Sequence, residues 1–124
     1  FIGEIRAWMQ SHTDPALSGH IVALAGYLLK LEQVTERLLA KGEQAPQELG
    51  AAACDYLHVV GYITYGYLWL RMLDVARKQE GAHAKTKQKT GAYYFQRILP
   101  KVDSLITCID AGATDMMAFL PEEF

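Results

Sequence analysis

LGAAACDYLHVVGYITYGYLWLRML, residues 49–73, is the stretch on which the fold turns. Leu49, Ala52, Tyr56, Val59, Ile63, Gly66, Leu70 and Leu73 recur in alternating steps of three and four, which puts them on one seam of an α-helix. Tyr62, Tyr65, Trp69, Met72 and Ala76 form a second apolar seam on a different face. A helix apolar around this much of its circumference must be covered on more than one side, so it reads as the central element. Gly61 and Gly66 each cost about 1 kcal/mol in a helix interior, a cost compatible with close approach of a neighbour. Gly26 and Gly91 are candidates for the same role on flanking helices.

Working outward, Pro46 and Glu48 mark the start of this helix and Glu80-Gly81 its expected end. Upstream, Asp14-Pro15 is a cap followed by a proline at the first helical position. Leu17, Ile21, Leu24, Leu28, Leu31 and Leu38 then carry the helical period to an expected stop at Lys41-Gly42. Phe1, Ile5 and Trp8 make a short amphipathic helix over residues 1 to about 11. Downstream, Tyr94, Phe95, Ile98, Leu99, Val102, Leu105, Ile106 and Ile109 place a long helix over about 84–111. Pro100 falls inside it, but the apolar spacing continues in phase, which predicts a kink and not a break. Gly112 closes it, with one more turn expected before Pro121. The fold class is therefore all-α: an antiparallel bundle of three long helices, with a short N-terminal helix and a short C-terminal turn.

With 124 residues, one domain is the expectation, and 51% hydrophobic against 21% charged residues excludes disorder. Net charge is −2, so nothing in the overall balance seeks nucleic acid or an anionic membrane. The most apolar run, Tyr56 to Leu70, is interrupted by His58 and Thr64 and falls short of the ~18 residues of a membrane span. Without a basic-then-apolar leader, a cytoplasmic setting is favoured, and Cys54 and Cys108 are expected as reduced, buried thiols. The opening Phe1-Ile2-Gly3-Glu4-Ile5 reads like the middle of something longer, so the chain is taken as a fragment.

Few residues offer chemistry. Asp55 and His58 have the spacing of one half of a bundle metal site, but no second pair exists, and Cys54 with His58 cannot close a tetrahedral site. A core cysteine beside a hydrogen-bonded histidine is the expectation, with no metal. No serine-nucleophile turn, glycine-rich dinucleotide loop or phosphate loop occurs, so catalytic and cofactor-binding residues are expected to be absent. Arg77, Lys78, Lys85, Lys87 and Lys89 against Glu80 give +4 in thirteen residues and are candidates for contact with phosphate or an acidic partner. The alternate lysines spread over half a helix circumference, which favours a solvated loop instead. Asp55 and Arg71 lie about 24 Å apart along one helix, so each is expected to pair with a flanking helix or with something outside the chain.

Asp55-Tyr56-Leu57-His58-Val59-Val60-Gly61-Tyr62, followed by Gly66-Tyr67-Leu68-Trp69-Leu70-Arg71-Met72, resembles the extra C-terminal domain of a bacterial subgroup of acyl-CoA dehydrogenases. Lys89-Thr90-Gly91-Ala92-Tyr93-Tyr94-Phe95-Gln96-Arg97-Ile98-Leu99-Pro100 and the closing Ala111-Gly112-Ala113 with Met116 and Phe124 continue the likeness, which is looser over the first two helices. The resemblance implies an FAD-dependent enzyme of fatty acid metabolism. Its catalytic glutamate removes an α-proton from an acyl-CoA while the β-hydrogen passes as hydride to the flavin, leaving an enoyl-CoA. Those residues, the FAD and the acyl-CoA pocket would lie in preceding dehydrogenase domains of a homo-oligomeric chain. The domain seen here would brace that body or the oligomer through Tyr62, Tyr65, Trp69, Arg71 and Met72. A free-standing helical interaction module without enzymatic activity is the alternative.

Overall fold

Asp14 opens the first long helix as expected. In the computed structural model, which describes all 124 residues, its carboxylate accepts the Ala16 N–H at 2.7 Å. A first-turn donor without an intrahelical partner is thereby satisfied. Helix α1 (Ile2–Ser11) precedes it and α2 spans Pro15–Gln44. The expected stop at Gly42 does not form: the glycine stays helical and α2 ends two residues later. Its bare α-carbon instead accepts Leu49 from the start of the next helix, since an added Cβ would sit 2.7 Å from Leu49 Cγ.

Helix α3 spans Gln47–Ala76, four residues short of Glu80, and Gly81 (φ +107°) turns the chain into α4, Ala82–Tyr93. The last long helix then passes Pro100 without breaking. A π-helical turn, Tyr94–Ile98, leads to α5, Lys101–Ala111, and the Leu99 N–H donates to the Tyr94 carbonyl five residues back at 2.9 Å. Proline removes the donor that the Gln96 carbonyl would use, and a wider turn is a common adjustment to such a defect. The expected kink thus takes the form of a π turn. Gly112 (φ +77°) ends α5, and a single turn, α6 (Thr114–Met117), leads to a 3₁₀ turn at Pro121–Glu123.

Cross-chain contacts fix the directions. Arg77 at the end of α3 binds Asp14 at the start of α2, and Leu49 meets Gly42 at the other end, so α2 and α3 are antiparallel. Leu73 meets Gly91 and Glu48 meets Ala113, so the α4–α5 path is antiparallel to α3 as well. Arg37 grips Asp110 with two hydrogen bonds of 3.1 and 2.9 Å, and Lys30 and Tyr27 hold Asp103, so α5 lies parallel to α2. The α1 helix lies across this group with Ile5 and Met9 buried and Arg6 on Glu32 at 2.7 Å.

Nineteen residues form one core around α3, with Val59, Ile63 and Leu70 fully buried. The predicted seam is buried along most of its length, but Leu49 is exposed and Tyr56 half-buried at its open end. Gly66 is packed on two sides: a Cβ there would meet Leu24 Cδ1 at 2.8 Å and Leu99 Cδ1 at 3.6 Å. Gly91 receives Leu73 in the same way, at 2.7 Å. Gly61 and Gly26 have no atom within 4 Å of such a Cβ, so the close-approach role expected of them is not used within this chain.

Each end of α3 carries a polar clamp. Asp74, the one buried carboxylate, accepts hydrogen bonds from Arg77 at 2.6 and 3.0 Å and from Lys78 at 3.0 Å, and Arg77 also reaches Asp14. His12 Nε2 stands 3.8 Å from the same carboxylate, its ring stacked on Trp8. Burial disfavours the charged form of Asp74, but the bonds from Lys78 and Arg77 outweigh it and hold the carboxyl below its ordinary range. At the other end, Glu48 accepts the Ala113 N–H at 3.2 Å and fixes the turn after α5.

Two stability measurements check this packing. Asp74→Asn is expected to cost about 2 kcal/mol at neutral pH, since it removes charge-assisted bonds from a mostly buried group. A carboxyl depressed by folding contributes stability that is present above about pH 4 and lost as pH falls through its folded value, so the variant also flattens the acid limb in urea titrations. For the glycines, opposite signs are expected: Gly61→Ala stabilises by about 1 kcal/mol, whereas Gly66→Ala destabilises by about 1–2 kcal/mol because Leu24 must be displaced.

Candidate contact groove

Tyr65, Leu68, Met72 and Val75 follow the helical period along the side of α3 turned away from α2 and α5, and all four are exposed. Helix α4 lies beside them because Ala84 is buried and Gly91 admits Leu73. Between the two helices runs an open groove of about 670 Å³. Trp69, Met72 and Val75 supply apolar surface, and Arg71, Gln79, His83 and Lys87 supply polar groups. No carboxylate lines it. Trp69 is half-buried, its ring stacked 6.2 Å from that of Tyr94, with Lys87 Nζ 5.5 Å above it. The Arg71 guanidinium lies 5.8 Å from the Tyr67 ring and makes no ion pair.

The groove therefore joins Tyr65, Trp69, Arg71 and Met72 from one predicted group with Lys87 from the other. Tyr62 is half-buried outside it, its carbonyl accepting the Tyr94 hydroxyl at 2.6 Å. Burial, with the neighbouring tyrosines, pushes the Tyr94 hydroxyl pKa far up. Arg77 and Lys78 are committed to Asp74, while Lys85 and Lys89 are exposed outside the groove. Of the two expectations for the lysine run, the helix from about residue 84 holds and the solvated loop is corrected: Lys85, Lys87 and Lys89 all belong to α4. Only Ala84 and Gly91 of that helix are buried, so lysines spread around the remaining circumference meet no steric or solvation cost.

Two further expectations are corrected. Cys54 and Cys108 are exposed, not buried. Cys54 lies two residues from both Ala52 and Tyr56, which turns it about 200° from each. His58 is likewise exposed and without a hydrogen-bond partner, so the pair is no core thiol beside a bonded histidine. For Asp55, half-buried, and Arg71, exposed, the structure removes one of the two expected alternatives: neither makes an ion pair with a flanking helix, which leaves a partner outside the chain. No group of three histidine, cysteine or carboxylate side chains converges to hold a metal ion, and no helix is long and apolar enough to cross a membrane.

Sequence reading missed a second apolar groove of about 630 Å³ between α2 and α3, where Leu39, Leu49, Leu57 and Val60 surround Tyr56. Its polar atoms are already paired, Thr35 Oγ1 with the Tyr56 hydroxyl at 2.8 Å. Leu39 and Leu57 lie off the core seams, and that displacement was the available signal. Also unforeseen were Tyr27 on Asp103 and His20 on Phe95. Burial, aided by Asp103, pushes the Tyr27 hydroxyl up to about 12, and burial lowers the His20 pKa as its ring stacks 4.5 Å from Phe95.

An all-α bundle with one long helix left open along a side is a general architecture, and comparison with protein families narrows it. Residues 1–119 match the family model described as acetyl-CoA dehydrogenase C-terminal like, and the chain belongs to that family. The match takes in α1 and α2, over which the resemblance of motifs was loose. No curated protein and no solved structure matches the chain.

Because the outer side of α3 is free of cover within the chain, Val75→Glu is expected to change the unfolding free energy of the monomer, measured at high dilution, by less than about 0.5 kcal/mol. Leu70→Ala, on the fully buried side of the same helix, is expected to cost about 3 kcal/mol. Chemical denaturation of the two variants checks both.

Proposed function

We propose that this chain is the non-catalytic C-terminal helical domain of a longer, cytoplasmic, FAD-dependent acyl-CoA dehydrogenase that oxidises an acyl-CoA to an enoyl-CoA. Its role is structural: it braces the dehydrogenase body or the oligomer. The observation that carries this reading, within the family to which the chain belongs, is the uncovered apolar side of α3 at Tyr65, Leu68, Met72 and Val75. An apolar strip of this kind on one face favours a partner surface over water.

The residues present do not fit a flavin. The α3–α4 groove is open, with two unpaired cations on an apolar surface, and the α2–α3 groove has its hydroxyls bound to each other. Neither gives the convergent donors and acceptors that an isoalloxazine edge and a pyrophosphate need. Catalytic base, flavin and acyl pocket are accordingly assigned to the preceding domains, and no chemical step is assigned to this chain.

The test uses the full-length enzyme. Met72→Glu combined with Val75→Glu is expected to lower its melting temperature by several degrees, with flavin content and the rate of flavin reduction by acyl-CoA unchanged. An unchanged melting temperature would remove the bracing role, and loss of flavin would put the cofactor site in contact with this domain.

A further inference from the structure

The α3–α4 groove has a chemical complement within the same sequence. The segment Asp115–Phe124 leaves Met116, Met117, Phe119, Leu120 and Phe124 exposed, the last at 94%. It carries Asp115, Glu122 and Glu123 and no Lys or Arg. Glu123 accepts the Leu120 N–H at 2.6 Å, while Glu122 has no partner. The groove offers the opposite pattern, an apolar surface with Arg71 and Lys87 unpaired and no acid. Aromatic and methionine side chains on Trp69 and Met72, with Glu122 between the two cations, would satisfy both surfaces at once.

The segment cannot reach the part of its own chain's groove that holds Arg71 and Met72. Ala113 is held at Glu48, at the start of α3, whereas Met72 in the groove lies 24 residues further along, about 36 Å at the helical rise. The α6 turn adds about 6 Å, and the seven residues from Met117 to Phe124 reach at most about 25 Å when fully extended. Two chains lying antiparallel along α3 remove the mismatch, because each then brings its Glu48 end beside the other's groove. That arrangement is isologous and closes with two equal contacts.

We propose that the α3–α4 groove takes the Met116–Phe124 segment of a second copy of this chain. The inference deepens the structural role proposed above, and rests on it, by naming the partner as another copy and not the preceding domains.

Sedimentation equilibrium of the 124-residue chain, with circular dichroism to verify helicity, tests it. The expected result is a dimer that Arg71→Glu with Lys87→Glu weakens by at least about tenfold, as does Glu122→Lys with Glu123→Lys. Combining the two reversals is expected to restore the dimer to within about threefold, which loss of folding could not do. Phe119→Ala with Phe124→Ala weakens it without loss of helicity. A chain monomeric at about 200 μM, or a dimer indifferent to these reversals, overturns the proposal. If the chain stays monomeric while Met72→Glu with Val75→Glu still lowers the melting temperature of the full-length enzyme, the groove faces the preceding domains; the bracing role then stands and the second-copy assignment fails.

Discussion

At Gly66, helices from two sides converge on a single α-carbon. Leu24 of α2 lies where a side chain on residue 66 would have been, 2.8 Å from its Cβ position, while Leu99, just after the π turn, and the Tyr94 ring stand in van der Waals contact with the same point at 3.6 and 3.8 Å. Because α3 is gripped here on two sides at once, the spacing of α2 and of the α4–α5 path is set relative to each other through it. The clamps at the ends then fix the register. Arg77 between Asp14 and Asp74 ties the start of α2 to the end of α3, and Glu48 on Ala113 ties the start of α3 to the end of α5. Sliding α2 by one helical turn would break the Arg77 clamp and push Leu24 off Gly66, and sliding the α4–α5 path would break the Glu48 clamp and move Leu99 away, each a cost of kcal/mol size.

The π turn belongs to the same constraint. It sets Tyr94 into the bundle, where its hydroxyl reaches the Tyr62 carbonyl and its ring backs Trp69. The interior packing and the outer groove thus share one aromatic residue, and the defect imposed near Pro100 becomes part of what shapes the groove. Helix α3 is left open on one side because the chain has only two long neighbours for it, while α1 covers other surface, with Arg6 on Glu32 of α2 and Trp8 against Tyr67 of α3.

Much of this was legible in the sequence because each signal was local. Asp14-Pro15 acts through hydrogen bonds of the first turn, and the three-and-four spacing of Val59, Ile63, Gly66 and Leu70 needs no knowledge of the partner helix. What failed to read correctly depended on the partner. Gly42 has the identity of a helix stop, but Leu49 makes it a contact point. Gly61 and Gly66 look alike in sequence, and only the position of Leu24 separates them. Cys54 was placed inside from residue type, although its angle from Ala52 points it outward. The apolar period places a helix from about residue 84, but the lysine spacing, which forms no stripe, argues for a loop; a helix seated chiefly through Ala84 and Gly91 requires no stripe.

Helical rotation also decides what kind of surface the groove is. Read along the chain, Arg77, Lys78, Lys85, Lys87 and Lys89 look like one basic patch, but helical rotation and the Asp74 clamp separate them. Two are neutralised internally, two face away on α4, and only Lys87 joins the groove, where Arg71 from the other predicted group meets it. A polyphosphate needs several converging cations or a cradle of backbone N–H groups, whereas two cations set around Trp69 and Met72 leave most of the surface apolar. An acidic, apolar polypeptide meets both properties together. Charge sets its direction along the groove, and burial of aromatic and methionine side chains supplies most of the affinity.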